Sequence, residues 1–321
     1  MNVPATFLFV ALLAGDPSAP VIERWQPRIV IADPTFIDVD GICCCAGEVF
    51  VADTKARSVL VFNGQGDKLR VYGGHSAPER FGEPMGLACQ GERIVLVDRD
   101  RVQVSILTLD GEVVKKISGA PGTPFLEPSG VTVGPGGKIF VVDSGCRVFV
   151  FDRDGNFLHR FGSQGSGPGQ LDSAESIAVD TRGRIVVADE GNFRLSVFDA
   201  HGQFLRTISE RGPGPGKFTK DIEGIIIDKR GYVVCLDEAD GYVEVFDLEG
   251  HAIATFGNGT GQEPGELNSP DGMAYDMEND HIWIGDQKNR RVQCFDLSLF
   301  LGRTDVTPPG KATKPSVDAS P

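Results

Sequence analysis

The sequence predicts an all-β protein: a six-bladed β-propeller of four-stranded antiparallel blades, with an N-terminal strand closing the last blade. Short runs of alternating apolar residues end in turns rich in Gly and Asp, a pattern typical of antiparallel strands joined by hairpins. One such pattern recurs six times, at intervals of 44 to 48 residues. A period in the forties with four runs per copy is typical of propeller blades.

The fourth copy shows the repeat most clearly, with apolar runs at 177–179, 185–188, 195–198 and 204–208. The first run carries a glycine in every copy but the fourth, and the positions are Gly41, Gly86, Gly130, Ser176, Gly224 and Gly272. The second run always ends on aspartate, at Asp53, Asp98, Asp143, Asp189, Asp237 and Asp286. Because all six copies carry this aspartate, we interpret it as a structural acceptor of backbone N–H bonds in the following turn.

The 321 residues divide into three segments. Residues 1–20 hold an apolar run followed by small residues, which is typical of a signal peptide or a disordered leader and predicts export, periplasmic or secreted. Residues 21–303 hold the propeller; the sixth copy lacks a fourth run, so we expect a strand within 21–32 to complete it. Residues 304–321 are rich in Pro, Lys, Ser and Thr and predict a disordered tail.

Composition narrows the range of partners. A formal net charge of −14 and a pI of about 4.8 count against nucleic acid and anionic lipid and favour a multivalent cation. The N-terminal apolar run is too short for a membrane span, and we expect a monomer. Among seven cysteines, Cys44 and Cys89 share a repeat position, so a bridge between them is one alternative; buried thiols are the preferred interpretation.

Acidic residues recur where the channel of a propeller opens. The first strand of each blade lines the channel, and the residue before its glycine borders one mouth. In blade order these residues are Asp40, Met85, Ser129, Glu175, Glu223 and Asp271, so the acids occupy four consecutive blades. Carboxylates that converge on a narrow opening repel one another unless a cation neutralises them. An oxygen-only set suits Ca²⁺, with Mg²⁺ or Mn²⁺ as alternatives, and a solvated acidic rim is the structural alternative.

Asp189 is a further candidate ligand of this metal site, because Glu190 follows it and Glu175 faces it. Basic residues are predicted on the same face, at Lys55, Arg99, Arg101, Lys220 and Lys288. Together with a cation they suit a small anionic ligand that carries phosphate or carboxylate. Four further arginines precede the third strands, and most of them are interpreted as inter-blade struts that pair with the repeated aspartates: Arg57, Arg147, Arg194 and Arg290.

The repeat resembles the NHL repeat, in which a Pro-x-Gly-Val/Ile-Ala-Val-Asp strand precedes Val-Ala-Asp and Arg-Val-x-Val-Phe-Asp. The fullest copies are residues 176–199 and 270–296, and the resemblance extends over about 36–297. It implies the propeller fold. It leaves function open, because NHL-type propellers include lyases, scaffolds and nucleic-acid readers.

A narrower resemblance is to the β-propeller phytases, which are calcium-dependent phosphatases of inositol phosphates. Residues 221–224 (DIEG) and 269–272 (SPDG) look like two of that family's blades. The resemblance implies calcium ligands at Glu175, Asp189 and Glu190, and phosphate-binding roles for Lys55 and Arg99. Three departures are Ser176 in place of the expected Gly, Gly145-Cys146 where a further Lys is expected, and Asp38-Val-Asp40 where the family has Asp-Asp-Pro.

These observations predict a Ca²⁺-dependent phosphomonoester hydrolase of the phytase-like kind. Its metal ligands would be Asp40, Glu175, Asp189, Glu223 and Asp271, and its catalytic residues Lys55, Arg99 and Glu190. Two alternatives stay open: a gluconolactonase-like metal-dependent lactonase, and a non-catalytic exported NHL propeller that binds a protein or a glycan.

Overall fold

The computed structural model describes residues 21–23, 25–74, 77, 80–209, 211–212, 216–218, 222–238 and 241–301. The predicted leader (1–20) and tail (304–321) lie outside the described residues, as do Lys220 and Asp221.

Six antiparallel sheets form the six blades, as predicted. Two short strands precede them, β1 (Val21–Glu23) and β2 (Ile29–Ile31). Blade 1 contains β3 (Val39–Cys45), β4 (Glu48–Asp53), β5 (Ser58–Asn63) and β6 (Lys68–Gly73). Blade 2 contains β7 (Pro84–Cys89), β8 (Arg93–Asp98), β9 (Gln103–Thr108) and β10 (Val113–Ile117), and a small hairpin follows it, β11 (Gly119–Ala120) with β12 (Thr123–Pro124).

The remaining blades repeat this order. Blade 3 contains β13 (Pro128–Val133), β14 (Ile139–Asp143), β15 (Arg147–Phe151) and β16 (Phe157–Phe161). Blade 4 contains β17 (Ala174–Val179), β18 (Ile185–Asp189), β19 (Arg194–Phe198) and β20 (Phe204–Ile208). Blade 5 contains β21 (Ile222–Ile227), β22 (Val233–Asp237), β23 (Tyr242–Phe246) and β24 (Ala252–Phe256). Blade 6 contains β25 (Pro270–Asp276), β26 (His281–Asp286) and β27 (Arg291–Asp296).

The N-terminal part of the chain closes the ring. Strand β2 pairs antiparallel with β27 and so supplies the fourth strand of blade 6, as the sequence predicts. Strand β1 was not predicted separately; it adds a fifth, parallel strand to the outer edge of blade 5. The chain that follows β27 forms the short helix α1 (Ser298–Leu301). Within the described part of the chain, no helix is long and apolar enough to cross a membrane.

The first strands of neighbouring blades approach each other closely around the channel. A Cβ atom added to Gly41 would lie 1.8 Å from the carbonyl oxygen of Met85, and one added to Gly272 would lie 1.9 Å from that of Asp40. No side chain fits at such distances, which explains the repeated glycine. Blade 4 has Ser176 instead, and its hydroxyl accepts a hydrogen bond from the Ile225 N–H of blade 5 at 3.2 Å.

Apolar side chains fill the spaces between blades, and one interface is also cross-linked. Cys45 of blade 1 forms a disulfide with Cys89 of blade 2. The preferred prediction of buried thiols was therefore wrong for these two residues, and the alternative partner, Cys44, is a free thiol. Side chains at equal repeat positions point to the same side of successive blades, so only positions of opposite parity meet across an interface.

Candidate metal centre at the channel mouth

A β-bulge positions the rim residue in every blade. In each first strand the pairing with the second strand shifts register at the rim residue and the residue that follows it, which is Gly41 between Val39 and Ile42 and Ser176 between Ala174 and Ile177. A bulge re-aims the side chains that it contains. The six rim residues thereby line one cavity at the end of the channel: Asp40, Met85, Ser129, Glu175, Glu223 and Asp271.

Three glutamates converge at this mouth. Glu175 and Glu223 come from the first strands of blades 4 and 5, and Glu190 comes from the 3-10 turn Glu190–Asn192 that follows β18. Carboxylate oxygens of the three lie within 4.8 Å of one another. Glu190 is buried, Glu223 is half-buried and Glu175 is exposed, so the cluster is anchored in the protein and open to solvent on one side. Oxygen donors at this spacing suit a hard divalent cation.

Asp40 and Asp271 lie beside this cluster and share its electrostatic field. Burial raises the pKa of Asp40 to about 6, and the carboxylates of Asp38 and Glu175 contribute to the rise. Burial also raises the pKa of Asp271 well above its usual value, with contributions from Asp40, Glu223 and Glu175. Each pKa is raised because the ionised form is poorly hydrated and repelled by like charges. A bound cation would relieve both effects.

Asp189 belongs to a different environment. It is fully buried, and Arg194 donates to its Oδ2 at 2.6 Å while the Asp172 N–H and the Asn192 amide donate to its Oδ1 at 2.6 and 2.8 Å. The three-glutamate cluster does not include it. Asp189 thus makes the hydrogen bonds expected of the repeated structural aspartates. The metal-binding roles of Asp40, Glu175, Asp189, Glu223 and Asp271 and the catalytic role of Glu190 stay predictions.

The two predicted phosphate-binding cations are surface side chains with acidic partners. Lys55 Nζ lies 3.0 Å from Asp38 Oδ2, and the lysine side chain is 68% exposed. Arg99 Nε lies 3.1 Å from Glu83 Oε2, and its charge lowers the pKa of Asp40. Arg99 is therefore electrostatically coupled to the mouth. Exposed ion pairs of this kind are weak, so an anionic ligand can replace the acidic partner of either cation.

Sequence reasoning overlooked one repeat position that contributes to the mouth. The residue directly after the repeated aspartate reaches a rim or near-rim group in four blades. Thr54 donates to Asp40 at 3.0 Å, Gln287 donates to Asp271 at 3.3 Å, and Ser269 donates to Glu238. Glu190 occupies the same position in blade 4. Reading this position in all six copies would have identified Thr54, Glu238 and Gln287.

The arginines predicted to pair with the repeated aspartates are correct in blades 3 and 4 and wrong by one residue in blade 6. Arg147 and Arg194 pair with the aspartate of their own blade. In blade 6 the partner of Asp286 is Arg291, at 2.6 Å, and not Arg290. Arg57 and Arg290 have positive φ angles of 54° and 51°, because they complete the turn before the third strand. The struts also act within one blade rather than between blades.

Comparisons with known proteins agree with this architecture. The family described as DUF5128, 6-bladed beta-propeller, matches residues 127–183 and 171–256, and the NHL repeat matches residues 267–295. RING finger protein nhl-1 of Caenorhabditis elegans is 44% identical over 63 residues, which are 19% of this chain and 6% of that protein. Protein brain tumor of Drosophila melanogaster is 27% identical over 138 residues, which are 41% of this chain and 13% of that protein. The chain thus matches only a small part of either relative.

Solved structures share the fold at low sequence identity. A gluconolactonase from Xanthomonas campestris superimposes with a TM-score of 0.64 at 15% identity, over 89% of this chain and 99% of that one. A virginiamycin B lyase from Staphylococcus aureus gives 0.58 at 15% identity, over 84% and 88%. At such identities the likeness concerns the fold alone. With the sequence matches, the six blades identify this chain as a six-bladed β-propeller that carries an NHL repeat at residues 267–295.

Proposed function

We propose that the channel mouth binds a divalent cation and that the protein is a cation-dependent hydrolase of small esters. The observation that carries this proposal is the convergence of Glu175, Glu190 and Glu223, whose carboxylate oxygens lie within 4.8 Å of one another. Ca²⁺ is the first candidate, because carboxylates on separate strands and a turn suit its flexible coordination by oxygen. Mg²⁺ and Mn²⁺ are the alternatives.

The residues of the mouth would divide the work. The three glutamates would hold the cation, while the neighbouring acids Asp40 and Asp271 retain a proton more readily than ordinary carboxyl groups, because burial raises their pKa values. A bound divalent cation would supply Lewis acidity that polarises a phosphoryl or carbonyl oxygen. Arg99, beside Asp40, would stabilise negative charge that develops on the substrate. Lys55 would attract an anionic substrate from solution.

Phosphomonoesters are the substrate class that we propose first. The basis is the positively charged side chains of Lys55 and Arg99 near the mouth and the phytase-like DIEG and SPDG segments. Lactones are the second, and the specific support for them is the shared fold with a gluconolactonase. Both reactions depend on polarisation of an oxygen at the same cluster, so one set of variants tests both.

The proposal is tested by hydrolysis assays on the full chain with 4-nitrophenyl phosphate and with glucono-1,5-lactone. We expect activity that EDTA abolishes and that Ca²⁺ restores. Glu175→Gln with Glu223→Gln should remove it, whereas Glu278→Gln, an exposed acid on the opposite face, should retain it. Activity that survives exhaustive chelation would refute the metal scheme. Cation binding without turnover of either substrate would support the non-catalytic NHL propeller instead.

A further inference from the structure

We propose that the groove between blades 6 and 1, on the face opposite to the channel mouth, binds a small neutral aromatic molecule that carries a carbonyl oxygen. The groove lies among the turns that join first to second strands and third to fourth strands, such as Gly47, Gln65 and Met277, and it reaches Cys89 and Gly91 of blade 2. The acidic mouth lies at the other ends of these strands. The groove is therefore a separate site, independent of the proposed hydrolase function.

The groove is large enough for a ligand. Its volume is about 860 Å³, and small-molecule pockets typically hold roughly 300–1,000 Å³. Ile29 and Val49 contribute apolar walls, and the Trp283 indole borders the inner end. The next interface of the ring shows one way in which such a space is filled.

Between blades 1 and 2 a charged pair closes the equivalent position. Phe50 pairs with Val61, and Val61 pairs with Arg70 of the outer strand. The Arg70 guanidinium lies 5.8 Å from the centre of the Phe50 ring and bonds both to Glu48 and to the Leu109 carbonyl of blade 2. Its long side chain thus bridges the two blades and covers the aromatic ring.

Blade 6 has the same register and lacks this bridge. Trp283 pairs with Cys294, and Cys294 pairs with Ile29 of β2. Ile29 therefore takes the place of Arg70, and His281 takes the place of Glu48. An isoleucine cannot span the interface or bond to the next blade. The chain's N-terminal strand thus completes blade 6 without supplying an arginine that would bridge to blade 1.

Trp283, which lines the groove, carries an unused hydrogen-bond donor. Trp283 is 1% exposed, and its indole Nε1 has no hydrogen-bond partner among the described residues. An unpaired buried N–H is costly, and a ligand's carbonyl oxygen is a suitable acceptor. The aromatic part of such a ligand would contact Ile29 and Val49.

The charged residues around the groove disfavour an anion. Three acidic residues line it, Glu48, Asp276 and Glu278, against one arginine, Arg28, and one histidine, His281. Arg28 is already paired with Asp296 at 3.1 Å, and Glu48 with Arg70. The Asn279 amide donates to Asp276 at 2.7 Å. Because Arg28 and Glu48 are already paired, a neutral molecule can bind without breaking an ion pair.

The test uses Prodan, a neutral naphthalene ketone whose fluorescence shifts in apolar surroundings. We expect saturable binding to the full chain at one site. Ile29→Arg with His281→Glu reproduces the Arg70 and Glu48 pair and should abolish binding. Trp283→Phe removes the donor and should weaken binding by about threefold to tenfold, the value of one neutral hydrogen bond.

A second blocking variant guards against misfolding of the first. A Cβ atom at Gly64 would meet only the Gly47 carbonyl, at 3.8 Å, so Gly64→Leu places a side chain in the groove without a backbone clash. Far-UV circular dichroism checks the fold of each variant, and loss of binding in a folded blocking variant supports the proposal. Unchanged binding in folded blocking variants, or no saturable binding to the wild type, would overturn it.

Discussion

Two rings of carboxylates lie on the same face of the propeller, and they differ in what surrounds their oxygens. The aspartates that end the second strands are buried and accept hydrogen bonds from backbone N–H groups, as Asp53 does from Ile37, Asp38 and Ala56. The acids of the mouth face one another across the channel. Burial, together with repulsion from the neighbouring carboxylates, raises the pKa values of Asp40 and Asp271. An acidic residue therefore has a structural role where hydrogen-bond donors surround its carboxylate. Where other carboxylates surround it instead, its oxygens stay available to a ligand.

The largest loss of stability is expected when one of the aspartates that end the second strands is replaced. Asp286 accepts from the Asn268 N–H at 2.7 Å, from Arg291 at 2.6 Å and from the Gln293 amide at 3.1 Å. Asp286→Ala would leave a buried arginine without its carboxylate, at a cost of about 3–5 kcal/mol in the free energy of unfolding. Urea denaturation measures this. A loss below about 1 kcal/mol, similar to that of the surface control Glu278→Gln, would contradict the structural role.

At the mouth, removal of an acidic charge is expected to stabilise the protein rather than destabilise it. An aspartate carboxyl group in water has a pKa of 3.8, whereas the pKa of Asp40 in the folded protein is about 6. The folded state therefore binds more protons between these values, and the stability of cation-free protein falls as the pH rises through them. Asp40→Asn should stabilise cation-free protein at pH 7.5 by about 1–3 kcal/mol.

This gain should have a specific pH profile. Below pH 3.8, the pKa of the carboxyl group in the unfolded chain, Asp40 is protonated in both states, so variant and wild type should converge. Thermal unfolding in EDTA from about pH 3.5 to about pH 8 measures the difference. A stabilisation independent of pH would show that the Asp40 charge is not its cause.

The smallest stability effect is expected at Arg99. Its side chain and that of Glu83 are 43% and 40% exposed, so Arg99→Gln should change the free energy of unfolding by less than about 1 kcal/mol. Under the proposed function the same change should lower kcat/KM for 4-nitrophenyl phosphate by about tenfold or more. Unchanged kinetics would remove Arg99 from the catalytic scheme.

The fold was predictable because its information is local and repeated. Alternating runs and turn glycines specify strands, and six copies specify a ring, so the closure by β2 followed from the missing run of the sixth copy. The disulfide was missed because equal repeat positions were compared, although neighbouring blades present opposite faces. Strand β1 adds in parallel to blade 5 through a tertiary contact that no local pattern encodes.

The site was predictable only in outline. The rim position identified Glu175 and Glu223, because one residue per blade must border the channel. The third member, Glu190, comes from a turn, and its approach to the other two depends on the conformation of that turn. Its neighbour Asp189 has the same chemistry but points into the buried network around Arg194. Sequence spacing does not separate two adjacent acids of this kind.

A cation titration by calorimetry tests the central claim most directly. The full chain, freed of metal, is titrated with Ca²⁺, and Glu190→Gln is compared with Glu278→Gln. We predict saturable binding that Glu190→Gln weakens at least tenfold and that Glu278→Gln leaves unchanged. Glu190, unlike Glu278, belongs to the cluster of three glutamates at the mouth. Binding that is equal in all three proteins, or no binding of Ca²⁺, Mg²⁺ or Mn²⁺, would contradict the assignment of the mouth as a metal centre.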